Sequence, residues 1–537
     1  MSSASQPHYR TILQGDSKEP PRVPSATAGA TGEAVLDEQT FRVIEIDELF
    51  AAVDHATTDI GSAVLYRSLS QPLTDSESVR FKQDSVREIE GNRQLKADLD
   101  TLLHQAHKRE SDFYDLLFGR FLGMLGAPSH PREIAGFGYE TYIKGTRFML
   151  DLVEASARLP TPRSPYLHGL VDTLRGFAKT RSYALMRGPV YRSEKRLMTR
   201  EEKGLLTPAI KFRPTLFKPV GLTVAFAILV LIFQFVPFAL EMAASITPVF
   251  WLFLLPLSLV YIPIVGGFDR DGCIYPLRET FKKCEDVQRT LDALGQLDEL
   301  MGFCRYREAF VHPTCLPTID ASAECHRLTV AKARNPVLAK EDPAYVANDL
   351  SLDEERLTFV TGPNSGGKTA FCKTLAQIQV LAQIGCYIPA ERATLTVADR
   401  IFYQVPEISH LTDGEGRFGT ELKRTKAIFL AATSRSLVIM DELSEGTTNE
   451  EKLEISVNIL DGFKEKGNST VLITHNHELV DFYQRRGVGQ ARQVEFRNEL
   501  PTYRLIEGIS RVSHADRIAK KIGFSKDDIA KYLTGNA

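Results

Sequence analysis

Apolar residues recur at three- and four-residue steps through residues 37–205 and again through 270–320. That spacing predicts amphipathic helices, most clearly over 76–103, 113–125, 147–159 and 279–300. The period changes after about residue 325. Unbroken apolar runs of strand length replace it: LTFVT at 357–361, SLVIM at 436–440 and TVLIT at 470–474. Each predicts a strand buried on both faces of a parallel sheet. A helical pattern over 370–384 follows the first of them. Residues 1–36 are rich in Ser, Pro, Ala, Gly and Thr and lack an apolar segment, which predicts a disordered tail rather than a signal peptide.

Two longer apolar runs belong to neither regime. VGLTVAFAILVLIFQFVPFAL (220–240) carries no charge, and VFWLFLLPLSLVYIPIVGG (249–267) follows after a short break. Each is close to the roughly 20 residues that cross about 30 Å of hydrocarbon. Pro237, Pro256 and Pro263 are tolerated better in a membrane helix than in a water-exposed one, and Trp251, the only tryptophan, stands near the turn. Lys and Arg are frequent before the first run, from Arg187 to Lys218. They return after the second, at Arg270, Arg278, Lys282 and Lys283, and are absent from the turn. The pattern predicts a transmembrane hairpin with both ends cytoplasmic and lipid as its partner. A buried hairpin or an apolar dimer face is the competing reading. The basic run 175–218 suits anionic headgroups or, with Tyr183 and Tyr191 interleaved, nucleic acid.

Chemistry concentrates after the first strand. Gly362, Pro363, Asn364, Ser365, Gly366, Gly367, Lys368 and Thr369 form a glycine-rich turn between a predicted strand and a predicted helix. In that context backbone N–H groups turn inward toward phosphate oxygens, Lys368 meets the β- and γ-phosphates, and the Thr369 hydroxyl ligates Mg2+. The helix adds the positive end of its dipole. The second strand ends in Asp441 and Glu442, one for the Mg2+ shell and one for the attacking water, and the third ends at His475, within reach of a γ-phosphate. These features predict ATP and Mg2+ as ligands, with Glu442 and His475 catalytic.

The motifs also carry a resemblance. GPNSGGKT (362–369), IGCYIPAERATLTVADRIF (384–402), SLVIMDELSEGTT (436–448) and ITHNHEL (473–479) resemble the ATPase domain of the MutS family, ABC-type ATPases known from DNA mismatch repair. LTVAKARNPVL (328–338), VANDLSL (346–352) and YRLIEGISRVSHADRIAKKIGFSKDDI (503–529) are similar to its flanks, and VDHATTDIGSAVLYRSLSQPLTD (53–75) to the opening of its helical core. The resemblance implies a homodimer with shared sites, in which Ser444, Gly446, Thr447 and Thr448 act in trans on the partner's nucleotide. Thr448 stands where Ser is usual, and Glu445 where a basic residue is common. The family's mismatch-reading domains have no counterpart before residue 45, so mismatch recognition is not expected. The apolar hairpin occupies the place of the family's DNA clamp.

The fold class that follows is an α-helical core and lever domain interrupted by a transmembrane hairpin, then an α/β P-loop ATPase. The expected divisions are a tail 1–36, helical core 37–205, hairpin 206–270, helical return 271–324 and ATPase 325–537. A formal charge of −3 gives no global basic field for nucleic acid, and seven cysteines scattered singly suit reduced thiols rather than structural zinc. The leading functional expectation is a membrane-tethered ATPase with its ATPase and helical core on the cytoplasmic side. The alternatives are a DNA-binding or DNA-structure-sensing ATPase of mismatch-repair type, and a transport-linked ATPase.

Overall fold

Polar residues at the heads of the N-terminal helices show how the helical body is segmented. Asp37 accepts the N–H of Thr40 ahead of α1 (Glu38–Val43), and α2 (Ile46–Val53) follows. Thr58 caps α3 (Asp59–Ser70), Asp75 caps α4 (Ser76–Gly91), and Asn92 caps α5 (Arg93–Phe118). Each cap satisfies an N–H that the helix itself leaves without a carbonyl. The computed structural model describes residues 34–121, 133–134, 136–194, 196–204, 207–216, 264–363, 366–406, 416–443, 449–498, 500–510 and 522–533.

A short parallel pair, β1 (Arg120–Phe121) and β2 (Glu133–Ile134), separates α5 from α6 (Tyr139–Arg158), which packs along α5. Then come α7 (Pro165–Gly176), α8 (Arg181–Arg187) and a small antiparallel sheet of β3 (Val190–Arg192), β4 (Leu197–Met198) and β5 (Ile210–Phe212). After α9 (Tyr275–Lys283), α10 (Glu285–Ala309) runs through the middle of the body against α3, α4, α5 and α7. The helices differ in extent from their apolar patterns. The stretch 76–103 is broken at Asn92, 113–125 ends at Phe118, and 279–300 is broken at Cys284. In each case the apolar period continues across a residue whose backbone is extended.

The expected transmembrane hairpin is corrected. Among the described residues no helix is long and apolar enough to cross a membrane. The run 220–240 and residues 249–263 of the second run lie outside the described residues. The described chain just beyond them is docked on protein: Arg192 lies 4.3 Å over the Phe268 ring, Tyr139 donates to the buried Asp269 (2.6 Å), and Tyr275 stacks on Phe121. Run length and apolarity carried the expectation, and both properties serve equally for chain buried against protein. The membrane location, with its cytoplasmic ATPase, and the lipid partner are withdrawn with the hairpin.

Beyond α10 the chain builds two sheets. Its strands are β6 (Thr318–Ile319), β7 (Leu328–Ala333), β8 (Asn348–Ser351), β9 (Leu357–Thr361), β10 (Arg392–Leu395), β11 (Ile401–Gln404), β12 (Leu437–Asp441), β13 (Ser469–Ile473), β14 (Gln490–Arg497) and β15 (Leu500–Glu507). The smaller sheet has the order β6-β10-β7-β8 and the larger β11-β12-β13-β9-β14-β15. In the larger sheet all neighbours are parallel except β15. β9 and β13 are buried at every position, as strands covered on both faces must be. The helices here are α11 (Lys368–Gln383), α12 (Gly416–Ala431), α13 (Asn449–Lys466), α14 (His477–Arg485) and α15 (Lys526–Leu533).

One helix ties the sheet to the helical body. α11 is buried along most of its length, and its polar side chains reach carbonyls on both sides. Gln377 donates to Ile44 O (2.8 Å), Gln379 to Thr396 O (2.8 Å), and Gln383 to Leu73 O (2.7 Å). Lys373 pairs with Glu45 at 2.6 Å. These contacts join α11 to the end of α1, the start of α2 and the turn after α3.

Candidate nucleotide-binding site

The turn between β9 and α11 takes the backbone through conformations that only glycine adopts without strain. Gly362 has φ 127° and Gly367 φ 82°. The loop is also pressed from the side. A Cβ on Gly366 would lie 3.0 Å from Val494 of β14, and one on Gly367 3.3 Å from the Tyr503 ring of β15. Lys368 opens α11 with its side chain only 3% exposed and folded back, so that Nζ donates to Gly362 O (2.5 Å). Burial pulls its pKa down, while the Asp441 and Glu442 carboxylates pull it up. Asn364 and Ser365 lie outside the described residues.

β13 separates β12 from β9, and the register sets Asp441, Ile473 and Val360 level across the three strands. Thr369, one residue into α11, donates from Oγ1 to Asp441 Oδ2 (3.0 Å). A hydroxyl and a carboxylate side by side are hard oxygen donors of the kind Mg2+ takes from a protein when phosphates supply the rest of its shell. These two residues fit that ion. Glu442 follows in a left-handed conformation (φ 62°) and donates its N–H to Ile473 O (2.9 Å). Its carboxylate is 9% exposed and accepts from the Thr474 hydroxyl (3.1 Å) and the His475 N–H (2.9 Å). The His475 ring, about half exposed, stands with Nε2 3.9 Å from Glu442 Oε1. The residues expected to act in trans, Ser444, Gly446, Thr447 and Thr448, lie outside the described residues.

On the other side of the loop is a cleft of about 400 Å³, bordered by Tyr345, Val346, Asn348, Gly366, Phe371 and Tyr503. Asn348 fixes its far wall, donating to Tyr503 O (3.0 Å) and accepting from Leu505 N–H (2.7 Å). Tyr503 itself has φ 59°, a conformation that aims its ring at Gly367. A cleft with aromatic walls beside a phosphate-type loop has the form that receives a flat base. Sequence reasoning assigned no role to Tyr345 or Tyr503. Their signal was weak, two aromatics in separate segments that share a site only because β8 and β15 meet.

Residues 358–531 match the family model described as MutS domain V. The DNA mismatch repair protein MutS of Prochlorococcus marinus (strain AS9601) is 32% identical over 260 residues, 47% of this chain and 28% of that protein. The protein of the same name from Desulforamulus reducens is 36% identical over 202 residues, 36% of this chain and 22% of that protein. The one from Synechococcus sp. (strain JA-2-3B'a(2-13)) is 27% identical over 529 residues, covering 88% of this chain and 56% of that protein. The chain thus spans little more than half the length of these relatives at most.

Proposed function

The chain belongs to the MutS family, and from that premise we propose that it binds ATP with Mg2+ and hydrolyses it, in a DNA-related role. The reading is supported above all by the meeting of Lys368, Thr369 and Asp441 at the level ends of β9 and β12. Lys368 exchanges Gly362 O for phosphate oxygens, and the loop N–H groups and the head of α11 supply further donors. Thr369 and Asp441 would hold Mg2+, which would supply neutralising charge to the phosphates. Glu442 takes the proton of the attacking water as its oxygen bonds to the γ-phosphorus and the bond to the β–γ bridging oxygen breaks. His475 stands beside the phosphate that leaves. Tyr345 and Tyr503 flank the base.

The partners are a second copy of the chain and DNA. The DNA reading draws on the relatives' printed name and on the small sheet β3–β5. That sheet and its approaches expose Arg187, Arg196, Arg200 and Lys211, with Lys203 Nζ 4.6 Å from the Tyr191 ring. Phosphates are met by such side chains without sequence preference. ATP turnover measured with Mg2+ and with EDTA, each with and without DNA, tests both parts. Turnover that needs Mg2+ and responds to DNA at low salt supports the proposal. Turnover indifferent to DNA removes the DNA role, and no turnover removes the ATPase.

A further inference from the structure

We infer that Thr474 is a positioning residue that holds the Glu442 carboxylate in its working orientation. The inference rests on the ATPase reading above. Thr474 follows β13, is 1% exposed, and donates its N–H to Val360 O on the loop strand (3.1 Å). Its hydroxyl accepts the N–H of Asn476 (3.0 Å). A hydroxyl has one proton, and an ionised carboxylate only accepts, so the contact to Glu442 Oε2 at 3.1 Å has one direction: Thr474 donates. Asn476 in turn caps α14 through Leu479 N–H (3.1 Å), so the hydroxyl sits in a joint fixed at both ends.

The geometry at Glu442 gives this bond its importance. A left-handed φ is unfavourable for a residue with a long side chain. Here it turns the side chain toward β13 rather than along its own strand. There the carboxylate receives the Thr474 hydroxyl on one oxygen and the His475 N–H on the other. Anchors on both oxygens define the plane of the carboxylate, and the hydroxyl holds one of them. The His475 ring at 3.9 Å is too far to replace the hydroxyl. A base misaligned by a fraction of an ångström loses rate rather than substrate affinity.

The test uses the full chain. Thr474→Val keeps the shape and removes the donor, and Thr474→Ser keeps the donor. Thr474→Val is expected to lower kcat about tenfold while ATP affinity stays within about twofold, and Thr474→Ser to return kcat to near wild type. Added to Glu442→Gln, Thr474→Val is expected to lower the residual turnover no further. Thr474→Ala is read in the same way if Thr474→Val does not fold. Wild-type kcat in Thr474→Val overturns the inference, as does the same fall on top of Glu442→Gln or an equal fall in Thr474→Ser. Loss of turnover in the wild-type chain overturns the ATPase reading instead, and is seen before any variant is made.

Discussion

The heads of α3 and α11 pose the same electrostatic problem and are answered differently. At α3 the chain supplies its own carboxyl groups as acceptors. Asp298, fully buried, accepts from the N–H groups of Thr57 and Thr58, the Thr58 hydroxyl and Arg305. Glu110, also buried, accepts from Asp59 N–H and approaches His107 at 3.0 Å. Gly61 is required there, because a Cβ would lie 2.3 Å from the Asp298 carboxylate. At α11 the first turn carries no acidic residue; glycines lead into it, and a buried lysine and a hydroxyl begin it. A helix N-terminus attracts an anion in both cases. It becomes structure where the chain brings the carboxylate, and a candidate site where the chain brings a glycine loop and a cation.

That contrast breaks cleanly by mutation. Lys368→Ala is expected to lower ATP turnover at least about a hundredfold with little change in folding stability. An ATPase assay beside a urea titration reads both. Asp298→Ala is expected to do the reverse, destabilising the fold by about 3 kcal/mol through the buried donors it strands, while folded protein keeps its ATP affinity. If Asp298→Ala abolished nucleotide binding without unfolding the chain, the division between the two helix heads would be wrong.

Glu110 sharpens the same point through pH. Burial raises its pKa from 4.5 to about 8. The folded chain therefore holds this proton up to about pH 8, whereas the unfolded chain releases it above about 4.5. Stability is expected to fall as pH rises through that window, since the folded state binds more protons there. Glu110→Gln removes that part of the slope, roughly 5 kcal/mol across the window, read from urea midpoints at several pH values. An unchanged slope in the variant would show that Glu110 does not carry it.

The grouping of the candidate site's residues was legible in sequence where polar chemistry follows on a buried strand. Lys368, Thr369, Asp441, Glu442 and His475 all stand at or just past the end of an apolar run, and the parallel register brings those ends together. The aromatic cleft was not legible, because Tyr345 and Tyr503 share it only through the Asn348 contacts between β8 and β15. Helix ends were obscured for a local reason. The apolar period runs on past Asn92 and Cys284, and the extended backbone at each breaks the helix without interrupting the pattern. The apolar runs at 220–240 and 249–267 misled because hydropathy counts apolar residues without saying what surrounds them. In sequence Thr474 is only the end of a strand; its bond to Glu442 depends on the backbone turn at residue 442.

Glu442 is proposed to work on a water beside a phosphate held by the α11 loop. The most direct test is Glu442→Gln, with ATP binding and ATP turnover measured on the same preparation. Binding retained within about twofold of wild type, with turnover reduced by about a hundredfold or more, is the predicted result. Turnover at the wild-type rate in that variant would remove Glu442 from this role.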